Sequence, residues 1–187
     1  MNYYLLFDKF IDGEGSFSKQ EPWNKVLKYN HPQHKFLIKK AIVTVDSCYS
    51  ENGMSDYLKI GRGKLASKKI QQVFFDNGFT GAQFVPVEVH NGKVYQDYAF
   101  INPLAHYDLM DPEASKAKKF DDRIFGGYMR ASSEKIDRKK FDACNIQHDF
   151  FTLSTYKSPY FASERVKDAL EAAGVTGIKY IPMEFSS

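Results

Sequence analysis

Apolar positions along this chain follow the same order in two separate segments. Residues 65–89 and 161–185 align without a gap, at an offset of 96 residues (161 minus 65). In both segments apolar side chains first recur at the i, i+3, i+4 spacing of a half-buried helix, as at Ile70, Val73 and Phe74. A short continuous apolar run follows, which is typical of a strand. The pattern therefore predicts the same helix–turn–strand unit twice.

Identical residues occupy the ends of the two predicted helices. Ser67 and Ser163 stand at the N-cap positions, where a hydroxyl is expected to accept a hydrogen bond from the first turn. Glycines stand just after each helix, where a left-handed backbone costs them little. A Thr-Gly turn and a strand containing a proline follow, and such a strand should lie at an edge, an end or a bulge. The shared structural residues are Ser67, Gly78, Gly81 and Pro86 in one unit and Ser163, Gly174, Gly177 and Pro182 in the other.

Strand and turn signals outside the repeat complete the predicted fold. Asn91-Gly92 lies between two β-rich runs and predicts a hairpin in the first unit. Further strands are predicted at residues 2–7 and 41–45 and within 122–130, and loops at 11–35 and 50–55. The predicted fold class is α+β, with a duplicated helix–turn–strand unit, a β-hairpin and a mostly antiparallel or mixed sheet.

The length of 187 residues is sufficient for one domain or two small ones. The best candidate boundary is Gly61-Arg62-Gly63, because its glycines and its charge interrupt the apolar pattern. It divides an N-terminal β/loop region, residues 1–62, from a duplicated helix–strand domain, residues 63–187. No low-complexity linker separates the two parts, so a single compact domain is the alternative.

Charge and composition exclude several classes of protein. The net charge of +3 is too mild to indicate nucleic-acid binding by itself. Two cysteines without a paired spacing do not indicate a disulfide framework. The N-terminus has no basic region before its apolar run, and no stretch approaches the ~18 apolar residues of a membrane helix. We therefore expect a soluble, cytoplasmic protein with no membrane partner.

The segment from His106 to Glu113 is the first candidate for chemistry. It places one histidine and three acids within eight residues, and such groups bind metals or transfer protons. One hypothesis is a metal-dependent hydrolase that uses His106, Asp108 and Asp111. However, the spacing matches no metal-binding loop. The competing interpretation is a strand-to-loop junction in which Asp111 caps a turn and Pro112 begins a helical turn. On balance we expect no catalytic residue, no metal and no cofactor.

A basic segment at residues 116–140 is the second candidate. It contains nine Lys or Arg residues against four acids, and its excess of positive charge is larger than that of the whole chain. Such a segment can contact phosphates or dock an acidic protein. A solvated face with interspersed acids is the competing interpretation.

The order of these elements resembles the eleventh immunity-protein family of bacterial polymorphic toxin systems. The motifs that carry the resemblance lie between residues 57 and 185. They are the capped helix and Gly-h-Thr-Gly turn (h, apolar) of Ser67 to Pro86, Asn91-Gly92, Asp108/Asp111/Ser115, Phe150 to Leu153, and Ser163 to Pro182. The resemblance implies a small intracellular protein that binds and neutralises a cognate toxin in a stoichiometric complex. It implies no catalytic residue.

A protein-binding role agrees with the aromatic content of 16%, because aromatic side chains supply much of the energy of protein interfaces. The stretch at 106–123 is the predicted partner surface, since it lies between the two units and mixes polar, aromatic and basic residues. Its residues are His106, Tyr107, Asp108, Asp111, Lys118, Lys119 and Arg123. The second hypothesis is a nucleic-acid-associated accessory protein that uses the basic segment 116–140, and nucleic acid is the less expected partner.

Overall fold

The structure is a computed structural model that describes residues 2–20, 32–37, 39–45, 52–61, 63–120, 127–157 and 159–186, with the backbone alone at residues 16–20. These residues form an α+β fold that is mostly sheet. The strands are β1 (Tyr3–Asp8), β2 (Gly15–Gln20), β3 (Ala41–Val45), β4 (Met54–Ile60), β5 (Gly63–Ala66), β6 (Ala82–His90), β7 (Val94–Pro103), β8 (His106–Tyr107), β9 (Lys118–Lys119), β10 (Tyr128–Arg130), β11 (Lys135–Ile136), β12 (Phe150–Leu153), β13 (Tyr160–Ser163), β14 (Ile178–Pro182) and β15 (Glu184–Phe185). The helices are α1 (Lys68–Asp76), α2 (Arg138–Ala143) and α3 (Glu164–Ala172).

Six strands close into a barrel in the order β2-β3-β6-β7-β5-β4. Its longest ladder is the antiparallel pair β6 and β7, which runs from Ala82 opposite Pro103 to His90 opposite Val94. This pair is the hairpin predicted from Asn91-Gly92, with residues 91–93 as its loop. The barrel interior is filled by side chains that alternate along the strands. Its fully buried members include Val43, Leu58, Leu65, Val87 and Val89.

A five-stranded sheet has the order β14-β1-β13-β12-β8. Strand β1 is antiparallel to both of its neighbours, with Tyr4 opposite Ala162 on one side and Pro182 on the other. Strand β7 occupies the corresponding position in the barrel, because Ala99 lies opposite Ala66 and Pro86. These two residues correspond to Ala162 and Pro182 at the 96-residue offset. The N-terminal strand is therefore central to a sheet built otherwise from the second half of the chain.

The two long helices pack into the core that connects the barrel and the sheet. Ile70 and Phe74 of α1 and Val166 and Leu170 of α3 are buried in one apolar cluster. The same cluster contains aromatic side chains from both strand systems, namely Tyr57, Phe150 and Tyr160. The buried positions are those that the helical spacing predicted, because only one stripe of each helix contacts the core.

The helix ends show one difference from the predicted caps. Ser163 Oγ accepts a hydrogen bond from the backbone N–H of Val166, at 3.4 Å. The cap hydrogen bond predicted for Ser67 is absent, so that prediction is wrong, and the Ser67 hydroxyl donates to Asp56 Oδ1 at 2.6 Å. Gly78 and Gly174 follow the helices with φ of +62° and +64°, a backbone that favours glycine.

Two buried aspartates connect the half of the core that contains α1 with the half that contains α3. Asp56, at the start of β4, accepts from Ser67 Oγ with one carboxylate oxygen and from the backbone N–H of Thr176 with the other, at 2.9 Å. Asp149, before β12, accepts from Ser163 Oγ and from the backbone N–H of Thr80, both at 3.2 Å. Each carboxylate thus binds the serine before the nearest helix and the threonine after the other helix.

The glycine after each of these threonines is required by close packing. A Cβ on Gly81 would lie 1.9 Å from the carbonyl oxygen of Phe150, and one on Gly177 would lie 2.6 Å from that of Tyr57. Both glycines also have positive φ, of +97° and +84°. The Thr-Gly turns can therefore approach the strands that follow the two aspartates only without side chains at these positions.

The observed secondary structure differs from the sequence prediction in three segments. The loop predicted at 11–35 contains β2, and that predicted at 50–55 contains the first residues of β4. Both strand segments are mostly polar, but the pairing of β2 with β4 in the barrel satisfies backbone groups of each, and residues 21–31 of the first predicted loop lie outside the described residues. Within 122–130, the strand occupies Tyr128–Arg130, whereas 121–126 lie outside the described residues. The boundary near residue 62 falls between the antiparallel strands β4 and β5, and a division into two domains stays a prediction.

We predict that Asp149→Ala lowers the free energy of unfolding by about 1–3 kcal/mol, because the buried Ser163 Oγ loses its acceptor and the hydrogen bond from the Thr80 N–H, which is partly buried, is lost as well. The matched control is Asp142→Ala on α2, whose carboxylate is exposed and 3.8 Å from Arg138. Its loss should stay below about 1 kcal/mol. Urea denaturation of both variants measures the two losses. Equal losses would contradict the bridging role of Asp149.

Candidate partner-binding surface

The predicted site begins at β8, a short edge strand of the five-stranded sheet. His106 and Tyr107 pair in parallel with Thr152 and Leu153 of β12. His106 Nε2 lies 3.1 Å from the carbonyl oxygen of Pro103, to which it can donate. Both β8 side chains are half-buried. The edge position leaves one side of the strand without a partner strand among the described residues.

Tyr107 is held by a histidine that the sequence did not assign to this site. Its hydroxyl lies 2.6 Å from His148 Nδ1, and its ring packs edge-on against Phe151, with ring centroids 5.2 Å apart. Burial raises the pKa of Tyr107 above its ordinary value, so the phenol keeps its proton at neutral pH. The hydroxyl and Nδ1 share one hydrogen bond, which fixes the orientation of both rings.

The acidic residues of the predicted site have structural partners. Asp108 lies 3.1 Å from Lys140 Nζ in an exposed ion pair. Asp111 accepts from the backbone N–H of Ala114 at 3.0 Å and so caps the turn that follows it. The pKa of Asp111 lies below its ordinary value, chiefly because of this backbone hydrogen bond and also because of one from the Ser186 side chain. Asp111 thus has the turn-capping role considered in the sequence.

Metal-binding side chains are not gathered at this place. Across the residues that the structure describes, no group of three or more His, Cys, Asp or Glu side chains could hold an ion. His106 bonds to the backbone, and Asp108 and Asp111 have different partners. The arrangement gives a rigid polar edge rather than a set of converging ligands.

The basic segment is divided by its contacts into a neutralised part and a free part. Lys135 pairs with Glu184, Arg138 with Asp142, and Lys140 with Asp108. In the described parts of the chain, Lys116, Lys118, Lys119 and Arg130 are exposed and form no ion pair. Arg123 of the predicted site lies outside the described residues.

Strands β9 and β10 form what we call the basic ribbon. They pair antiparallel, with Lys119 opposite Tyr128 and Lys118 opposite Arg130. The ribbon is attached to the sheet near β8, because Tyr128 N donates to Thr155 O at 2.8 Å and Ser154 N donates to Tyr107 O at 2.9 Å. The structure therefore connects most of the predicted site into one surface that runs from β8 to the basic ribbon. We call this surface the polar band, and it includes His106, Tyr107, Asp108, Asp111, Lys118 and Lys119.

A second surface was missed by the sequence reasoning. Helix α1 and the start of β6 border a cavity of about 410 Å³. Its aromatic lining includes Phe75, whose surface is 82% exposed. We call it the aromatic groove, and it is lined by Lys68, Gln71, Gln72, Phe74, Phe75, Phe79, Ala82 and Phe84. A signal was present, since Phe75 lies off the i, i+3, i+4 stripe and so on the solvent side of α1.

Comparison with protein families identifies the family of this chain. The sequence model of the immunity protein family Imm11 matches residues 25–184, which is most of the chain. The chain belongs to the Imm11 immunity protein family. The resemblance predicted from the repeat and the hairpin is thereby confirmed. No curated protein matches this Imm11 chain.

Membership in Imm11 associates the chain with immunity to toxins. The match begins at residue 25, so it includes β3 to β14 but excludes β1 and β2. Among the helices in the described ranges, none has the length and apolar character needed to cross a membrane.

We predict that Asp111→Ala in this Imm11 protein lowers the free energy of unfolding at neutral pH by about 0.5–1.5 kcal/mol, the usual net value of one hydrogen bond. Because folding lowers the pKa of Asp111, this difference should be complete above the ordinary aspartate pKa. It should disappear as the pH falls through the lowered value. Urea denaturation at several pH values measures it.

Asp108→Ala is the control for this experiment, since its ion pair with Lys140 is exposed and contributes little. Metal analysis of the wild type and both variants is the companion measurement. Bound metal in the wild type that both substitutions remove would contradict the capping role and favour the hydrolase hypothesis.

Proposed function

We propose that this Imm11 chain is an immunity protein that binds a cognate bacterial toxin and neutralises it in a stoichiometric protein complex. The family match over residues 25–184 carries the proposal. The toxin belongs, in this proposal, to a polymorphic toxin system, and the complex forms in the cytoplasm of the cell that the immunity protein protects. No cofactor takes part.

Binding rather than catalysis agrees with the contacts of the reactive side chains. Asp111 caps a turn, Asp108 pairs with a lysine, and Tyr107 and His148 bond to each other. A catalytic acid or base must instead lie within reach of a substrate proton. These groups are committed to holding the protein surface in one shape, as a preformed interface requires. We therefore propose that the chain is not an enzyme.

The polar band is the proposed contact for the toxin. In this proposal Lys118 and Lys119 meet acidic groups of the toxin, and His106 and Tyr107 provide the adjoining rigid edge. Arg123 belongs to the same contact, while Asp108 and Asp111 hold the connecting turn. Opposite charges across an interface mainly accelerate association and select the partner. The toxin surface that binds here is therefore acidic, and inhibition follows if that surface includes or covers its active site.

The repeated units have a proposed role as the frame of this surface. We propose that the two helix–turn–strand units are a duplication. The corresponding strand registers of β1 and β7 and the two matching aspartate bridges support it. Because β1 pairs with β13 and β14, we also propose that the chain forms one compact domain.

The decisive experiment is co-expression with the toxin-like product of the gene next to the one that encodes this chain. We expect cells that make the toxin to survive only when this chain is present, and we expect the two proteins to co-purify in a fixed ratio. An unrelated immunity protein, expressed at the same level, is the control. Toxicity without rescue and without a complex, for every neighbouring candidate, would overturn the proposal.

Charge reversal tests the polar band directly. We predict that the double variant Lys118→Glu, Lys119→Glu slows association with the toxin about tenfold at low salt and changes dissociation little. The matched control is Lys39→Glu, Lys40→Glu, which makes the same charge change at two other exposed lysines. Association and dissociation rates at two salt concentrations give the result. Equal rates for the two double variants would remove the basic ribbon from the interface.

A nucleic-acid-associated role is the second candidate, and the cluster of exposed cations on the basic ribbon favours it. Its test uses a duplex DNA and a single-stranded RNA in place of the toxin. Retention near physiological salt that falls steeply with added salt and is lost in the Lys118, Lys119 variant would support this role. No retention at that salt would eliminate it.

A further inference from the structure

We infer that the aromatic groove is the anchor site for the toxin and receives an apolar side chain that lies next to a carboxylate. This inference rests on the proposed function, because it names where and by what chemistry the toxin is held. The groove lies between α1 and the start of β6, outside the polar band predicted from the sequence.

The floor of the groove is a rigid set of aromatic rings. Phe74 is buried and contacts Phe79, Phe84 and Phe150 edge-on, with ring centroids 5.7, 5.3 and 5.8 Å apart. Such a cluster is held in place by packing on several sides. A side chain that entered the groove would therefore meet a preformed wall, so little ordering of the protein would be needed on binding.

The wall of the groove includes an aromatic side chain that the fold does not require. Phe75 is 82% exposed, and no ring contact of its own anchors it in the described structure. Burying an exposed Phe removes a large apolar area from water, and interfaces concentrate their energy in such residues. Exposed apolar patches of this type mark sites of interaction.

Helix α3 provides an internal comparison for this surface. At the 96-residue offset, Lys68, Gln72 and Phe75 correspond to Glu164, Asp168 and Glu171. On α3, Lys167 is bonded to Asp168 at 2.9 Å and to Glu171 at 2.8 Å, and it covers the ring of Tyr4. The same helix position can thus be closed by ion pairs. The packing of the helix against its strands therefore does not require an exposed aromatic residue at this position of α1.

The charges around the groove define the class of ligand. Lys68 is exposed at the rim and forms no ion pair in the described residues. The Arg165 guanidinium lies 5.4 Å from the centre of the Phe79 ring and is 63% exposed, although Asp149 is 3.6 Å away. The acid on the groove side of α1 is Asp76, which accepts a hydrogen bond from Gln72. Lys68 thus offers its charge to a ligand, whereas the charge of Arg165 is shared with Asp149, and the complementary segment has an apolar side chain next to an acidic residue.

Two contacts connect the end of the groove to the region of β8. Leu104, which lies between β7 and β8, donates its backbone N–H to Gly81 O at 2.8 Å, and Gly81 is two residues after the groove residue Phe79. His148, the partner of Tyr107, is also next to Gly81. The basic ribbon then accelerates association, and the aromatic groove slows dissociation.

The test compares Phe75→Glu, which installs the residue found at the corresponding position of α3, with Phe10→Glu. Phe10 is also an exposed phenylalanine, at 64%, and it lies after β1. The probe is the purified toxin domain encoded by the neighbouring gene. We expect Phe75→Glu to raise the Kd at least tenfold through faster dissociation, with an unchanged thermal midpoint. Phe10→Glu should change the Kd less than threefold, and Lys68→Glu should weaken binding most at low salt.

The other outcomes separate the inference from the proposed function. A wild-type complex that Phe75→Glu leaves intact, while the Lys118, Lys119 variant weakens it, overturns the groove and keeps the immunity function. A wild-type protein that binds none of the neighbouring toxins overturns both. A concentration-dependent dimer that Phe75→Glu dissociates would show that a second copy fills the groove, which also overturns the inference.

Discussion

The architecture depends on two buried carboxylates that each connect one half of the core to the other. Asp56 holds the turn at Thr176, and Asp149 holds the turn at Thr80. A buried carboxylate is costly unless several donors satisfy it. Each of these receives a serine hydroxyl, a threonine backbone N–H and a cation, Lys69 at 3.0 Å or Arg165 at 3.6 Å. The donors come from both halves, so neither carboxylate is satisfied unless the halves dock correctly.

The docking of the two halves fixes the buried faces of α1 and α3. The solvent-facing residues of the two helices can differ. The buried stripes of both helices share one apolar cluster. The outer face of α3 is covered by the ion pairs of Lys167, whereas that of α1 is aromatic and open. An immunity protein needs both properties, because a rigid frame reduces the entropy lost on binding and a variable face selects the partner.

Much of the local structure could be predicted from the sequence because its signals act over a few residues. The helical stripe gave the buried faces of α1 and α3, and Asn91-Gly92 gave the hairpin of β6 and β7. The candidate site was predicted less well. Asp111 has the capping role that was one of two alternatives, and Lys140 neutralises Asp108 from 32 residues away. Neither β2 nor the start of β4 could be recognised, because their polar sequences become strands only through pairing in the barrel.

The sequence by itself determined the two helix–turn–strand units, the glycines at their turns and the Imm11 family, because these features follow from the order and spacing of residues along the chain. Only the tertiary structure decided which groups meet. It paired Ser67 with Asp56, placed β1 between β13 and β14, brought His148 to Tyr107 across 41 residues, and opened the groove beside Phe75. The physical reason is that these contacts join distant segments, and their free energy depends on burial and on the number of satisfied hydrogen bonds.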